Sequence, residues 1–156
     1  MIQRVQSVYL LLVTVLMSFM LIRPYAEITL TDSQILTFHS HVIENNAGSE
    51  TPTVYKTTIP VIALVLMTGL LSFVNIFLFN RRILQRRICL VNVVLLISLL
   101  IIMFIYYRST QHSSDITVHA FRFPAIFPLL AIILNFLAYR NIYIDEMLVK
   151  SYRIRQ

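Results

Sequence analysis

The sequence predicts an all-α membrane protein, namely a four-helix transmembrane bundle with a small extracytoplasmic cap made of a β-hairpin and loops. Composition is the first reason, because 58% of the 156 residues are hydrophobic and only 13% are charged. A soluble domain carries roughly 25% charged residues, and so few charges would leave large apolar patches facing water. The second reason is that the apolar residues fall into four long, separate stretches.

The four apolar stretches have the length of membrane-spanning helices. They cover residues 5–22, 59–79, 88–107 and 121–139. At 1.5 Å per residue, helices of this size are about 27–32 Å long, which matches a hydrocarbon core of about 30 Å. The stretches contain no Asp, Glu, Lys or His, and their one Arg is Arg122 in the first turn of the fourth. Soluble helices would each need a polar face, and these stretches have none, so we expect four membrane spans.

The distribution of basic residues predicts the orientation of the chain. With both termini in the cytoplasm, the inner segments are residues 1–4, 80–87 and 140–156, and they hold nine of the 13 Lys and Arg residues. The outer segments, 23–58 and 108–120, hold only three. Cytoplasmic segments carry this excess in membrane proteins. The net charge of +6 is therefore explained by topology, and a nucleic-acid partner is not expected.

The chain, residues 1–156, is predicted to be a single domain whose cap comes from the outer segments. Alternating apolar residues within 26–43 predict a short β-hairpin, with its turn at residues 31–34. Residues 45–49 predict a loop, and residues 108–120 predict either a further strand or a loop. A lone hairpin is marginal in water, so we expect the cap to lie on the membrane surface or on a partner.

The tail after the fourth span carries an apolar stripe. The stripe consists of Tyr143, Ile144, Met147, Leu148 and Tyr152, whereas Asp145 and most other charged residues of the tail lie off it. This pattern predicts that the fourth helix either continues past the membrane or restarts along the inner membrane surface.

Amide side chains are predicted to meet near the inner ends of the spans. Asn75, Asn92 and Asn135 each lie four residues from the cytoplasmic end of a span, and Gln3 and Gln6 lie at the cytoplasmic mouth of the first. Amides in a membrane usually form interhelical hydrogen bonds, worth roughly 0.6–2 kcal/mol each. The alternative is a polar site for a ligand or a lipid headgroup.

Two further clusters have simple physical interpretations. Thr68, Gly69 and Ser72 form a patch of small residues that predicts where the second span packs closely against another helix. The turn at 80–87 is crowded with arginines, which are explained by topology and are also predicted to contact anionic lipid headgroups. These arginines are Arg81, Arg82, Arg86 and Arg87.

Chemistry is expected to be absent. The histidines all fall outside the spans: His39, His41, His112 and His119. On a strand, His39 and His41 would point the same way. Together with a histidine of the other loop, they are candidates for a transition-metal site. Solvated surface histidines are the simpler interpretation. No catalytic triad, phosphate loop or paired intramembrane carboxylates occur. Neither an enzyme nor a cofactor is expected, and Cys89 is predicted to be inert.

Several short runs resemble a known family. The opening run Gln3-Arg4-Val5-Gln6-Ser7-Val8-Tyr9, the arginine turn and the closing Ala138-Tyr139-Arg140-Asn141-Ile142 are similar to small four-span inner-membrane proteins of Bacteroidota, catalogued as a domain of unknown function. The resemblance covers nearly the whole chain. It implies a Gram-negative inner membrane and supplies no catalytic residues.

The expected role is non-enzymatic. A small bundle without a polar core offers mainly apolar faces to neighbouring spans, so we expect an accessory or structural subunit of a larger inner-membrane complex, in contact with lipid and with other integral subunits. The alternative is a lipid-binding or small-molecule-binding or transport protein that acts as a homo-oligomer.

Overall fold

The fold is a four-helix bundle with an antiparallel sheet at one end. In a computed structural model, residues 3–30, 35–46, 53–78, 81–111 and 116–154 are described. Within these residues the chain order is α1 (Gln3–Ile22), β1 (Ala26–Leu30), β2 (Ile35–Phe38), β3 (Val42–Asn46), β4 (Thr53–Thr57), α2 (Ile59–Phe77), α3 (Arg82–Gln111), β5 (Ile116–Phe121), a 3-10 turn (Phe123–Ile126) and α4 (Phe127–Ile154). All four α-helices are long and apolar enough to cross a membrane.

The helix ends differ from the predicted spans in three places. Helix α3 begins at Arg82, inside the turn predicted at 80–87, and continues to Gln111. Helix α4 runs without a break to Ile154, so the fourth helix continues rather than restarts. The residues predicted as the start of the fourth span belong instead to β5 and the 3-10 turn. Pro124 lies in this turn, where its missing N–H removes no hydrogen bond, because the first amides of a helix have no partner within it.

Each helix turns one narrow stripe toward the interior. Buried positions recur alternately every four and three residues, which is the spacing of left-handed helix bundles. The stripes are Gln6, Leu10, Val13, Met17 and Met20 in α1; Val61, Val65, Thr68, Ser72 and Asn75 in α2; Gln85, Cys89, Asn92, Leu96 and Leu99 in α3; and Ala131, Asn135, Ala138, Ile142 and Asp145 in α4. Only 28–33% of each membrane-length stretch is buried, so most of the helical surface is an exposed apolar face.

The apolar stripe in the tail does not face the interior of the bundle. Tyr143, Ile144 and Met147 are exposed, whereas Ile142 and Asp145 are buried. The side chains of the other two members of the stripe, Leu148 and Tyr152, lie outside the described residues. The spacing of the interior stripe simply continues along α4 through Ile142 to Asp145. Neighbouring charges suggested a solvated face for Asp145, but the helix position decided which way its side chain points.

The cap is a five-stranded antiparallel sheet and not a single hairpin. Its strand order is β4-β3-β2-β1-β5, so the first outer segment supplies four strands and the second supplies β5, the strand alternative considered for residues 108–120. The predicted hairpin is present as β1 paired with β2, from Ala26 opposite Phe38 to Thr29 opposite Ile35. Its turn at 31–34 and most of the loop at 45–49 lie outside the described residues, although Asn45 and Asn46 belong to β3.

The sheet packs on the end of its own helix bundle. Ile28, Leu36, Phe38 and Ile43 are at most 2% exposed and belong to one hydrophobic cluster with residues of all four helices, such as Tyr107. The Phe38 ring lies 6.2 Å from the Tyr107 ring. The bundle itself therefore covers the apolar face of the sheet, so the cap does not need a partner for this purpose. Contact of the cap with the membrane surface stays a prediction.

Each end of the bundle has its own kind of connection. At the sheet end, α1 leads into β1, β4 leads into α2, α3 leads toward β5, and β5 leads into α4. The opposite end, called here the terminal end, carries the starts of α1 and α3 and the ends of α2 and α4. At the sheet end, Thr58 ties the start of α2 to the β2–β3 turn, since its hydroxyl donates a hydrogen bond to the carbonyl oxygen of Ser40 at 3.1 Å.

Candidate functional site

The interior of the bundle changes character along its length. Toward the sheet it is mainly apolar, with buried residues such as Leu99, Val65 and Met20, although Thr58 and Thr110 are also buried there. Toward the terminal end it contains polar side chains that are at most 8% exposed: Gln6, Ser72, Asn75, Gln85, Asn92, Asn135 and Asp145. The expectation of a bundle without a polar core is wrong for this half. Buried polar groups are costly unless they are hydrogen-bonded, so their partners decide what this region does.

Most of the polar contacts join α2 to α3. The Asn92 amide donates a hydrogen bond to the Ser72 hydroxyl at 2.7 Å. One layer nearer the terminal end, the Asn75 amide donates to the Cys89 sulfur at 3.1 Å. The Gln85 amide then donates to the backbone carbonyl oxygen of Asn75 at 3.2 Å, near the end of α2. Three hydrogen bonds therefore hold the two helices together near the short connection between them.

A separate contact joins α1 to α4. The Gln6 amide donates a hydrogen bond of 2.8 Å to a carboxylate oxygen of Asp145, and the two residues are 139 positions apart in the chain. Asp145 is 8% exposed, and it is the last residue of the membrane-length stretch Phe123–Asp145. The predicted contribution of Gln6 to an interhelical contact thus has a partner that sequence reasoning had assigned to the solvated tail. The side chain of Gln3 lies outside the described residues.

Asn135 differs from the other two asparagines. Its amide donates to the carbonyl oxygen of Ala131 at 3.3 Å, within its own helix, and not to another helix as predicted. The amide oxygens of Asn75, Asn92 and Asn135 have no hydrogen-bond partner among the described residues. Three buried acceptors on three helices therefore retain the capacity to accept a hydrogen bond from water or from a polar ligand.

The small-residue patch on α2 points in two directions. Thr68 and Ser72 face the interior, where the Thr68 hydroxyl donates back to the Leu64 carbonyl oxygen at 2.8 Å. Gly69 faces α1, and a Cβ atom at this position would lie 3.5 Å from the Cβ atom of Met17. The patch is thus split between the interior and the contact of α2 with α1.

A large concave surface lies between α1 and the start of α4, at the sheet end. It has a volume of about 630 Å³, within the range of about 300–1,000 Å³ that is usual for small-molecule sites. One wall is α1 from Leu12 to Phe19, and the opposite wall includes Phe123 and Phe127. We call it the α1–α4 groove. Its lining is almost entirely apolar, apart from the two arginines at its mouth.

The mouth of the α1–α4 groove is basic. Arg23 follows the last residue of α1, and Arg122 precedes the 3-10 turn, and both residues are among those that line the groove. Arg122 is 52% exposed and forms an ion pair with Glu27, with 2.7 Å between Nη2 and Oε1. Sequence reasoning missed this site. The available signal was the position of Arg23 and Arg122 in or beside the two segments predicted to lie outside, where the sequence has few basic residues.

Comparison with known proteins gives a family without a described activity. A protein-family model described as "Domain of unknown function (DUF4293)" matches residues 2–154. The chain belongs to the DUF4293 family. No curated protein matches this DUF4293 chain, so the family assignment brings no catalytic or binding residue with it, and any role must be argued from the geometry.

The arginine turn of the DUF4293 chain lies at the terminal end. Arg81 and Arg87 are exposed there, and the Arg86 guanidinium lies 5.7 Å from the centre of the Tyr143 ring on α4. A cation–π contact of this kind contributes about 0.5–1 kcal/mol at an exposed site. The side chain of Arg82 is outside the described residues. The contact of this turn with anionic lipid is still a prediction.

The histidines of the DUF4293 chain lie at the sheet end. His39 and His41 belong to the β2–β3 turn and not to a strand, and their ring centres are 5.5 Å apart. Glu44 lies 3.9 Å from the Nε2 atom of His39. His119 is in β5, separated from β2 by β1, and His112 is outside the described residues. Within the described segments, no three His, Cys, Asp or Glu side chains come together as a metal site.

Proposed function

We propose that this chain is a multi-pass protein of a bacterial inner membrane, with both termini in the cytoplasm. Four long apolar helices support insertion, since each carries an exposed apolar face that needs a lipid or protein neighbour. The orientation is supported by charge. Arg81 and Arg87 are exposed at the terminal end, and cytoplasmic segments are rich in Lys and Arg. The sheet then lies on the opposite, periplasmic side.

The proposed role is that of a non-enzymatic accessory subunit in a larger membrane complex, in contact with lipid and other integral subunits and not with nucleic acid. The observation that carries it is the large outward surface of the bundle, since only 28–33% of each membrane-length stretch is buried. Helix association in a membrane depends on packing and on small residues, and Gly69, Thr14 and Ser18 line a shallow depression of about 150 Å³ between α1 and α2.

Native purification tests the subunit role. Extraction from membranes in a gentle detergent, followed by size-exclusion chromatography and mass spectrometry, is expected to yield a second polypeptide in fixed ratio. The variant Ser18→Leu, at an exposed position that lines the depression between α1 and α2, is expected to reduce this ratio. Ile97→Phe on the exposed face of α3 serves as the control. Recovery of this chain alone, at every detergent tried, would count against the role.

A second role is favoured by one observation. The α1–α4 groove is large, apolar and bordered by two arginines, which suits an amphiphilic lipid or a small molecule. In this role the chain binds or transports such a ligand, and acts as a homo-oligomer. Mass spectrometry of the same purified sample separates the two roles, because a retained stoichiometric ligand supports this one and a second polypeptide supports the first.

A further inference from the structure

The α1–α4 groove has the depth of one membrane leaflet. Helical geometry extends to Arg23, whose backbone amide donates to the Phe19 carbonyl oxygen at 3.1 Å. Eleven residue steps separate Arg23 from Leu12 at the other end of the groove, and at about 1.5 Å each they span about 16 Å. One leaflet of a hydrocarbon core of about 30 Å is about 15 Å deep. The groove thus runs from the interface to the bilayer midplane.

Charge at the mouth of the groove is placed to bind an anion. Arg23 and Arg122 contribute two positive charges, and Glu27 offsets one of them through its ion pair with Arg122. A guanidinium group has five N–H donors, so the pair with Glu27 leaves most of the donors of Arg122 available while it restrains the side chain. Arginine matches the paired oxygens of a phosphate group. The apolar walls below exclude a second polar group.

We propose that the α1–α4 groove binds one anionic glycerophospholipid from the leaflet on the sheet side. The phosphate group lies between Arg23 and Arg122, and an acyl chain lies along α1 beside Val15 and Phe19. This inference rests on the proposed membrane insertion. The matching depth requires an extended apolar chain, and the basic mouth requires a headgroup with net negative charge. A purely apolar partner helix would use the walls but would bring no anion to the basic mouth.

The test compares two lipids and seven variants by native mass spectrometry. The purified chain is delipidated and incubated with phosphatidylglycerol or with phosphatidylcholine of the same acyl chains. We expect one retained phosphatidylglycerol per chain and weaker retention of phosphatidylcholine. Arg23→Gln and Arg122→Gln are each expected to lower the affinity for phosphatidylglycerol about fivefold, and the double variant about 25-fold. Arg108→Gln, an exposed arginine of α3 outside the groove, is the matched control and is expected to bind like wild type.

Glu27→Gln provides a change in the opposite direction. It removes the negative charge that offsets Arg122, so it is expected to raise the affinity for phosphatidylglycerol and leave phosphatidylcholine unchanged. A defect in folding would lower both. Val15→Phe fills the groove and is expected to lower retention of both lipids, whereas Val94→Phe on the exposed face of α3 is expected to have no effect.

Several outcomes would overturn the inference. Equal retention of the two lipids, or equal losses in Arg108→Gln and in the groove variants, would show nonspecific binding. Release of a bound polypeptide by Val15→Phe, with no retained lipid, would show that a partner helix occupies the groove. Alkaline carbonate extraction of the starting membranes separates the two proposals. Protein released by carbonate would refute insertion, whereas retained protein that binds no phosphatidylglycerol would refute only the lipid site.

Discussion

Replacement of Phe38 by alanine tests whether the sheet is anchored on the bundle. Phe38 is fully buried, and its ring lies 6.0 Å from Tyr25 and 6.2 Å from Tyr107. The residue belongs to the sheet, so water rather than lipid is its reference environment in the unfolded cap. The cost observed for buried Phe→Ala changes in soluble proteins, about 3–5 kcal/mol, therefore applies. For a residue deep in a span, lipid would replace water and only the loss of packing would count.

The assay is equilibrium unfolding in detergent, followed by the near-ultraviolet circular dichroism of the tyrosines. Phe38→Ala is expected to lower the free energy of unfolding of the cap by about 4 kcal/mol. Ile35→Ala, on the same strand at 41% exposure, is the matched control and is expected to cost less than about 1 kcal/mol. If both variants lose the same small amount, the sheet does not depend on its contact with the bundle and the packing argument fails.

Other predictions concern single groups. Asn92→Leu removes a hydrogen bond to α2 and is expected to lower the free energy of unfolding by about 1 kcal/mol. Asn135→Leu removes a bond within its own helix and is expected to change that free energy by less than about 0.5 kcal/mol. Thermal unfolding in detergent that ranks the two variants the other way would contradict this. In a cysteine-free background, His41→Cys is expected to react with a membrane-impermeant maleimide in intact spheroplasts and Arg87→Cys only after lysis; the reverse pattern would refute the orientation. Burial, and then the nearby Tyr106, raise the pKa of the Tyr25 phenol. The contribution of Tyr25 to stability is therefore expected to be lost as the pH rises above about 10. If the free energy of unfolding of Tyr25→Phe falls just as steeply with pH, Tyr25 is not the cause.

The sequence predicted the helices better than the sheet because the two depend on different ranges of interaction. A run of apolar residues such as 59–79 is visible within one window. The strand pairing of β5 with β1 links Phe121 to Ala26, and no local pattern encodes a partner so far along the chain. From the two outer segments the sequence therefore predicted strand pairing for only one hairpin. The order of the helices nevertheless brings both segments to the same end of the bundle, where they form one sheet.

The candidate site was only partly predictable for a related reason. The asparagines were visible because an amide in an apolar run is conspicuous. The partner of Gln6 was not visible, because Asp145 lies in a charged tail and only the continued spacing of the buried stripe turns its side chain inward. The α1–α4 groove arises from two elements at opposite ends of the chain, so its arginines, Arg23 and Arg122, carried no local sign of a shared site.

The uneven interior follows from how the two ends of the bundle are connected. At the sheet end, strand pairing ties all four helices together, so apolar packing is sufficient there. At the terminal end, the chain joins only α2 to α3. In the proposed membrane, lipid would compete with apolar side chains for every helix face, so packing alone would fix the helix register weakly. Directional hydrogen bonds supply what is missing. Those of Asn75, Gln85 and Asn92 hold α2 to α3, and the bond between Gln6 and Asp145 holds α1 to α4, the two helices that no connection joins at this end.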